Sequence, residues 1–399
     1  MSTVYERREL CYNPDIEHTK PLSETWSSNA AAGIGHFPAP AYQQQDTVFR
    51  RAFDALRQAI ADQAFPAASV AITRLRKLIA LKALGRFTYE TDSPEVTAAS
   101  IFDLASVSKV VATTTTAMIL YERGLLDLEA PVAAVTPEFR GEDSRRGDVT
   151  LHMLLAHSSG LPAYERLFLR AKTREELLHA AFTTPLVTDP GTRAEYSDIG
   201  FIILGVALER IADETLDSFC QREVFGPLGM TRTAFNPAAA SKSSIPPTVE
   251  DRTFRQRVIQ GEVQDENASV LGGVAGHAGL FATAEDVAIF AHAMLDGGRP
   301  ILRPETLALF KRREPGPEGT SRALGWDTPS SPSQSGHQFS ASSFGHLGYT
   351  GTSLWIDPER QLSVTLLTNR TWPDCGQQAI KEARPRFHDA VIEALEASG

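Results

Sequence analysis

Ile101-Phe102-Asp103-Leu104-Ala105-Ser106-Val107-Ser108-Lys109 is the stretch around which the rest of the chain is organised. An apolar segment carrying Phe102 and Leu104 leads into a helical pattern that starts at Ser106 and ends near Gly124. Ser106 and Lys109 are three residues apart at the start of that helix, so both side chains lie on one face. A serine hydroxyl is a weak nucleophile until a base takes its proton. A lysine takes it once burial and neighbouring positive charge lower the lysine pKa. The helix N-terminus adds partial positive charge where an oxyanion would form. No other lysine of the chain has a serine three residues before it.

Working outward, Phe49, Phe53, Leu56 and Ile60 fall on one stripe and predict an amphipathic first helix that stops before Pro66. Residues 68–73 and 78–84 read as the two strands of a hairpin. Their connection, Arg74-Leu75-Arg76-Lys77, lacks the Asn-Gly type of turn signal. The middle of the chain is largely helical. Thr173 and Glu176 form a capping box, Asp198 precedes an apolar run from Ile199 to Ile211, and Thr215 opens a further short helix. Thr283 is placed to cap a helix through Leu295, with Asp286 at its positive end. Residues 328–343 are serine-rich and loop-like. Residues 348–356 and 361–368 then read as strands joined by Asp357-Pro358-Glu359-Arg360, a turn in which proline presets φ. A last helix over 377–397 is bent or divided by Pro385.

The expected fold class is therefore α/β in the α+β sense: an antiparallel sheet flanked by helices, plus a mostly helical lobe over about 110–260. Residues 1–45 read as an irregular arm, and 46–399 as one domain. Nothing repeats along the 399 residues, and 42% apolar with 22% charged content is that of an ordinary globular protein.

Composition also excludes functions. A net charge of -10, with basic residues clustered only at 74–77 and 311–313, argues against nucleic acid or an anionic membrane as partner. The odd set Cys11, Cys220 and Cys375 fits no metal or redox motif and reads as free thiols, with Cys220 in the core. There is no His-Glu-x-x-His and no Cys/His cluster, so no metal and no cofactor are expected. There is no Gly-x-Ser-x-Gly elbow and no strand-borne Gly-x-Gly-x-x-Gly. Residues 1–20 mix Glu6, Arg7, Arg8 and Glu9 without an apolar h-region, and no segment is apolar enough to span a bilayer. The cytoplasm is the expected compartment, and a small-molecule ester or amide the expected partner.

Residues 102–109 resemble the active-site motif of the class C β-lactamase-like serine hydrolases, which include β-lactamases, D-aminopeptidases and family VIII esterases. Further segments match in order: His152–Pro162, Tyr196-Ser197-Asp198, Pro227–Met230, Gly276–Phe281 and His346-Leu347-Gly348 with Tyr349-Thr350-Gly351. The resemblance runs from about Phe49 to the C-terminus. It implies the β-lactamase/transpeptidase-like fold, with Ser106 as nucleophile and Lys109 and Tyr196 together receiving its proton and passing it to the leaving group. Which of the two is the base stays open, since neighbouring groups titrate as a pair. The implied oxyanion hole is the backbone N–H groups of Ser106 and Tyr349. Asp198, His346 and Gly348 are the implied substrate-binding positions.

Two positions depart from the family pattern. Asp198 stands where asparagine is usual, either as an N-cap for the helix that follows or facing the site. Facing the site, its charge would raise the Lys109 pKa and make Tyr196 the better base. His346 stands where a lysine usually binds the carboxylate of a β-lactam. A mostly neutral imidazole anchors anions weakly, which favours small esters over lactams. His152, His157 and His277 read as structural hydrogen-bonding groups. The expected activity is a carboxylesterase acting through an acyl-enzyme. A β-lactamase or D-amino-acid peptidase, and a non-catalytic scaffold on the same fold, are the alternatives.

Overall fold

The computed structural model describes residues 40–397; most of the expected arm lies outside the described residues. Helix α1, Arg50–Ala61, follows a short helical turn at Gln45–Val48 and buries Phe53 and Leu56 from the expected stripe. Strands β1 (Ala67–Arg74) and β2 (Lys77–Gly85) form the expected hairpin. Leu75 and Arg76 both have positive φ, 48° and 64°. The two-residue turn thus takes the mirror-image geometry that matches strand twist, without the glycine or asparagine that usually supplies it.

The other strands come from the far end of the chain: β3, Phe344–Leu347; β4, Ser353–Asp357; and β5, Leu362–Thr368. The sheet order is β2-β1-β5-β4-β3, antiparallel throughout. β1 meets β5 with Val70 opposite Leu366 and Ile72 opposite Val364. The expected single strand over 348–356 is corrected. Residues 348–352 form a turn, and His346 sits on a separate short strand before it. Glycines at 345, 348 and 351 in so short a span hide the strand pattern from a sequence reading.

The sheet is covered on both faces, so β1, β4 and β5 are buried almost throughout, while the edge strand β2 is mostly half-buried. Val70, Ile72, Val364 and Leu366 pack against α1 and α5 (Ile380–Ala397). Ala71, Leu354, Ile356 and Leu367 belong to the larger core, with Val287 and Phe290 of α4 (Ala284–Leu295). Thr283 caps α4 through the Asp286 N–H, as its position in the sequence implies. Pro385 lies inside α5, which continues past it undivided.

Ser106 lies in one turn of 3₁₀ helix, Ala105–Val107. A π-helical segment, Lys109–Thr114, follows, and regular α-helix begins only with α2, Thr115–Glu122. The expected uniform helix from 106 is thereby corrected. Departures of this kind concentrate at functional sites. Between α2 and α4 the regular structure is mainly helical, centred on α3 (Asp198–Ala212), where every residue from Ile199 to Leu208 is buried. Gly205 of α3 meets Gly276 backbone to backbone. A Cβ on Gly276 would stand 2.1 Å from the Phe201 carbonyl oxygen. Among the described residues no helix is long and apolar enough to cross a membrane.

Candidate active site

Three distant segments converge on Ser106. The first is its own. The short strand Phe102–Asp103 pairs with Leu280–Ala282 and turns into the helix through Ala105, whose φ is +47°. A non-glycine residue held there costs on the order of 1–3 kcal/mol and persists only where the surroundings over-determine it. Here the Ala105 N–H donates to Asp103 Oδ1 at 2.8 Å. The hydroxyls of Thr350 and Thr352 donate to the Asp103 and Leu104 carbonyls, both at 2.8 Å. These bonds strap the β3–β4 turn against the serine. Gly348 has no room for a side chain: a Cβ would stand 1.9 Å from Thr352 Oγ1.

The second segment is the start of α3. Tyr196 Oη lies 2.7 Å from Ser106 Oγ, and Lys109 Nζ lies 2.9 Å from the same oxygen. The expected trio therefore meets. Asp198 faces it: its Oδ1 accepts from Lys109 Nζ at 2.6 Å and from Tyr196 Oη at 3.1 Å. The reading of Asp198 as N-cap is corrected. Ser197 caps α3, its hydroxyl accepting the Gly200 N–H at 3.0 Å, which frees the neighbouring carboxylate to turn inward.

The third segment is the glycine-rich turn before α4. Lys109 Nζ donates to the His277 carbonyl at 2.9 Å, and Thr113 Oγ1 to the Gly276 carbonyl at 2.6 Å. The bare backbone at Gly276 lets the turn come this close to α3 and to the lysine. His277 Nε2 stands 2.8 Å from Asp265 Oδ1. Asp265 lies in no motif, and His277, though within the Gly276–Phe281 segment, gives no sign in the sequence that its carbonyl meets the lysine.

Burial sorts the two candidate bases. Lys109 is fully buried, and desolvation pulls its ammonium below the ordinary lysine range; the Asp198 carboxylate opposes this and Arg322 assists it. Desolvation pushes the Tyr196 phenol well above its ordinary value, and Asp198 pushes it further. Desolvation disfavours whichever form is charged, so it weakens an acid and makes an amine easier to deprotonate, whereas a carboxylate raises both pKa values. Asp198 therefore opposes the neutral amine of Lys109 and the phenolate of Tyr196 alike.

Two histidines beside the trio are neutral. Burial holds both His157 and His346 well below the ordinary imidazole range, with Lys109 and Arg322 adding repulsion. His157 accepts the Ser197 N–H at 3.0 Å and packs 4.8 Å from the Tyr196 ring. His346 bonds the Leu347 carbonyl through Nδ1 at 2.8 Å, while its Nε2 is buried without a partner. A neutral, backbone-tied imidazole is no cationic anchor. The cation beside the trio is Arg322, whose guanidinium lies 5.4 Å from the Tyr196 ring centre.

Ser106, Tyr196, Asp198, His346, Gly348 and Tyr349 all line one cavity of about 860 Å³. Tyr349 is half exposed at its edge. Its carbonyl accepts from Arg370 Nε at 2.6 Å, and its ring lies 4.2 Å from that guanidinium. The cavity also takes in Asp265, Arg322 and Arg384, three charged groups that the sequence did not single out. Cys375 lines it as a free thiol, while Cys220 is buried in the core. Among the described residues no group of three or more His, Cys, Asp or Glu is arranged to hold a metal ion.

Comparisons with known proteins bear on the family and the fold. A family model described as Beta-lactamase matches residues 49–384. An N-acetylmuramyl-L-alanine amidase of Bacillus subtilis (strain 168) is 32% identical over 302 residues, covering 68% of each chain. EstCE1, a hydrolase with promiscuous acyltransferase activity, superposes with a TM-score of 0.72 at 23% identity, covering 87% of this chain and 99% of that one. A penicillin-binding protein homologue from Caulobacter crescentus superposes with a TM-score of 0.70 at 18% identity, covering 87% and 97%. At these identities the two structures are similar in fold. The chain is a serine hydrolase that belongs to the beta-lactamase family.

Proposed function

We propose that the protein hydrolyses small carboxylic esters through an acyl-enzyme on Ser106. The observation that supports this most is a single oxygen, Ser106 Oγ, within hydrogen-bond reach of both Lys109 Nζ and Tyr196 Oη at the wall of a large cavity. Neutral Lys109 takes the serine proton as Oγ bonds to the ester carbonyl carbon, and the carbonyl π electrons move to oxygen. The backbone N–H groups of Ser106 and Tyr349 receive that oxyanion. As the carbon–oxygen bond to the leaving group breaks, the Tyr196 phenol supplies its proton and is reprotonated from Lys109. Water then adds to the acyl carbon by the same route and releases Ser106.

An uncharged ester suits a site whose His346 is neutral. A second reading, hydrolysis of an amide or D-amino-acid peptide with a free carboxylate, is favoured by the Arg322 and Arg384 guanidiniums in the same cavity. It agrees with the amidase name of the Bacillus relative. A scaffold without activity would leave the burial of Lys109 against Ser106 without a use. The test is a panel of p-nitrophenyl acetate, nitrocefin and a D-alanyl-D-alanine peptide on wild type and Ser106→Ala. We expect ester turnover and fluorophosphonate labelling, both lost in the variant. Labelling that survives Ser106→Ala, or turnover of nitrocefin or peptide well above that of the ester, overturns the proposal.

A further inference from the structure

Asp103 is buried and lies two residues before the hinge at Ala105. Its two carboxylate oxygens serve different segments. Oδ1 accepts the Ala105 N–H at 2.8 Å, and Oδ2 accepts the Gln264 N–H at 2.7 Å. Ala105 immediately precedes Ser106. Gln264 immediately precedes Asp265, which bonds His277 Nε2 at 2.8 Å, and the His277 carbonyl accepts from Lys109 at 2.9 Å. One carboxylate therefore grips the backbone next to the hydroxyl and the backbone leading to the amine. The main chain at Asp103 is tied as well, through the Thr350 hydroxyl.

We infer that Asp103 is a positioning residue, which sets the distance between Ser106 Oγ and Lys109 Nζ by clamping the 264–277 segment to the nucleophile's turn. The inference rests on the proposed roles of Ser106 and Lys109. It adds a group that touches neither the substrate nor the reacting atoms. Both clamp bonds need an acceptor, and a carboxylate offers two where an amide offers one. The charged form is costly here. Burial raises the Asp103 carboxyl to about 6, and nearby Asp265 adds to the rise, while the two N–H donors and Arg255 oppose it. Below that pH one oxygen carries a proton and becomes a poor acceptor for the Gln264 N–H, so the clamp opens as the pH falls through about 6.

The test is Asp103→Asn, assayed with p-nitrophenyl acetate from pH 5 to 9. The asparagine oxygen keeps the Ala105 bond, while its NH₂ meets the Gln264 N–H donor to donor. A misplacement near 1 Å costs about 100-fold, so we expect kcat to fall on that order at pH 8 with KM changed by less than about threefold. In wild type, kcat falls with two protons on the acid side, one on Asp103 near pH 6 and one on Lys109. In the variant it falls with one. A merely structural role would lower the melting temperature and leave the number of protons unchanged. A kcat within about twofold of wild type, or a two-proton fall that survives the substitution, overturns the inference. If the variant does not fold, amide NMR of wild type decides. The Ala105 and Gln264 N–H signals should titrate together near pH 6 with the rate of Ser106 labelling. Independent midpoints overturn it. Wild type that is not labelled at Ser106 refutes the hydrolase reading instead, so the two failures are told apart.

Discussion

Lys109 Nζ lies 2.6 Å from Asp198 Oδ1, with the lysine side chain wholly buried and the aspartate partly so. The pair is held by its surroundings. Nζ meets three oxygens, of Ser106, Asp198 and His277, and the carboxylate is turned inward because Ser197 already caps α3. Desolvation and the carboxylate pull the lysine in opposite directions, which leaves an amine that can change charge during a reaction.

Lys109→Met should therefore fail twice. Loss of the base lowers kcat by about 10³-fold, within the range for a positioned proton acceptor. Asp198 is left without its cation, and because it is partly solvated the stability loss is about 2 kcal/mol, below the range for a fully buried pair. Adding Asp198→Asn should restore the denaturation midpoint and leave kcat low. Urea unfolding of the single and double variants checks this, and a double variant that recovers activity contradicts it.

Asp198→Asn alone should move the acid limb of kcat/KM. The carboxylate raises the Lys109 pKa, so its removal lets the amine lose its proton at lower pH. In the proposed mechanism activity requires the neutral amine, so the limb shifts toward acid, by about 1 pH unit for a single contacting charge. A limb that stays put or moves toward base would show that Lys109 is not the group being titrated.

Tyr196→Phe should depend on the leaving group. Burial and Asp198 favour the protonated phenol, which in the proposed mechanism gives its proton to the departing oxygen. p-Nitrophenolate leaves readily without a proton, whereas an alkoxide does not. The variant should lose about 10²-fold more on an ethyl ester than on a p-nitrophenyl ester of the same acid. Equal losses on the two esters would assign the tyrosine another task.

Gly276→Ala should damage site and core together. Its Cβ would meet the Phe201 carbonyl at 2.1 Å, forcing the glycine-rich turn away from α3 and the His277 carbonyl away from Lys109. Over-packing of this kind costs about 1–3 kcal/mol. Calorimetry should show a lower melting temperature, and fluorophosphonate labelling of Ser106 should slow under conditions where the variant is fully folded. Unchanged labelling would mean that the carbonyl does not govern the lysine.

Much of the architecture was readable from local chemistry. The α1 stripe, the β1–β2 hairpin, the Thr283 cap and the Asp357-Pro358 turn each follow from residues close together in the chain. The meeting of Ser106, Lys109 and Tyr196 was legible through the resemblance of their motifs. Strand β3 was missed because glycines interrupt its pattern. The inward turn of Asp198 was ambiguous because aspartate and serine are both good caps, and only packing selects which of two neighbours does the work. Asp265 was not singled out, and Asp103 stood in the 102–109 motif without a task of its own. The Asp103 carboxylate acquires its clamp only when the Gln264 N–H, from far along the chain, joins the local Ala105 N–H.

By itself the amino-acid order determined which groups sit one helical turn apart, because helix geometry is periodic and local: Ser106 and Lys109 share a face whatever surrounds them. Only the tertiary structure supplied the environments that shift the proton-carrying groups of Lys109 and Tyr196 in opposite directions. Desolvation and a single carboxylate act on Lys109 and Tyr196 through space, and those environments exist only once the 196–198 and 276–277 segments close over the helix start.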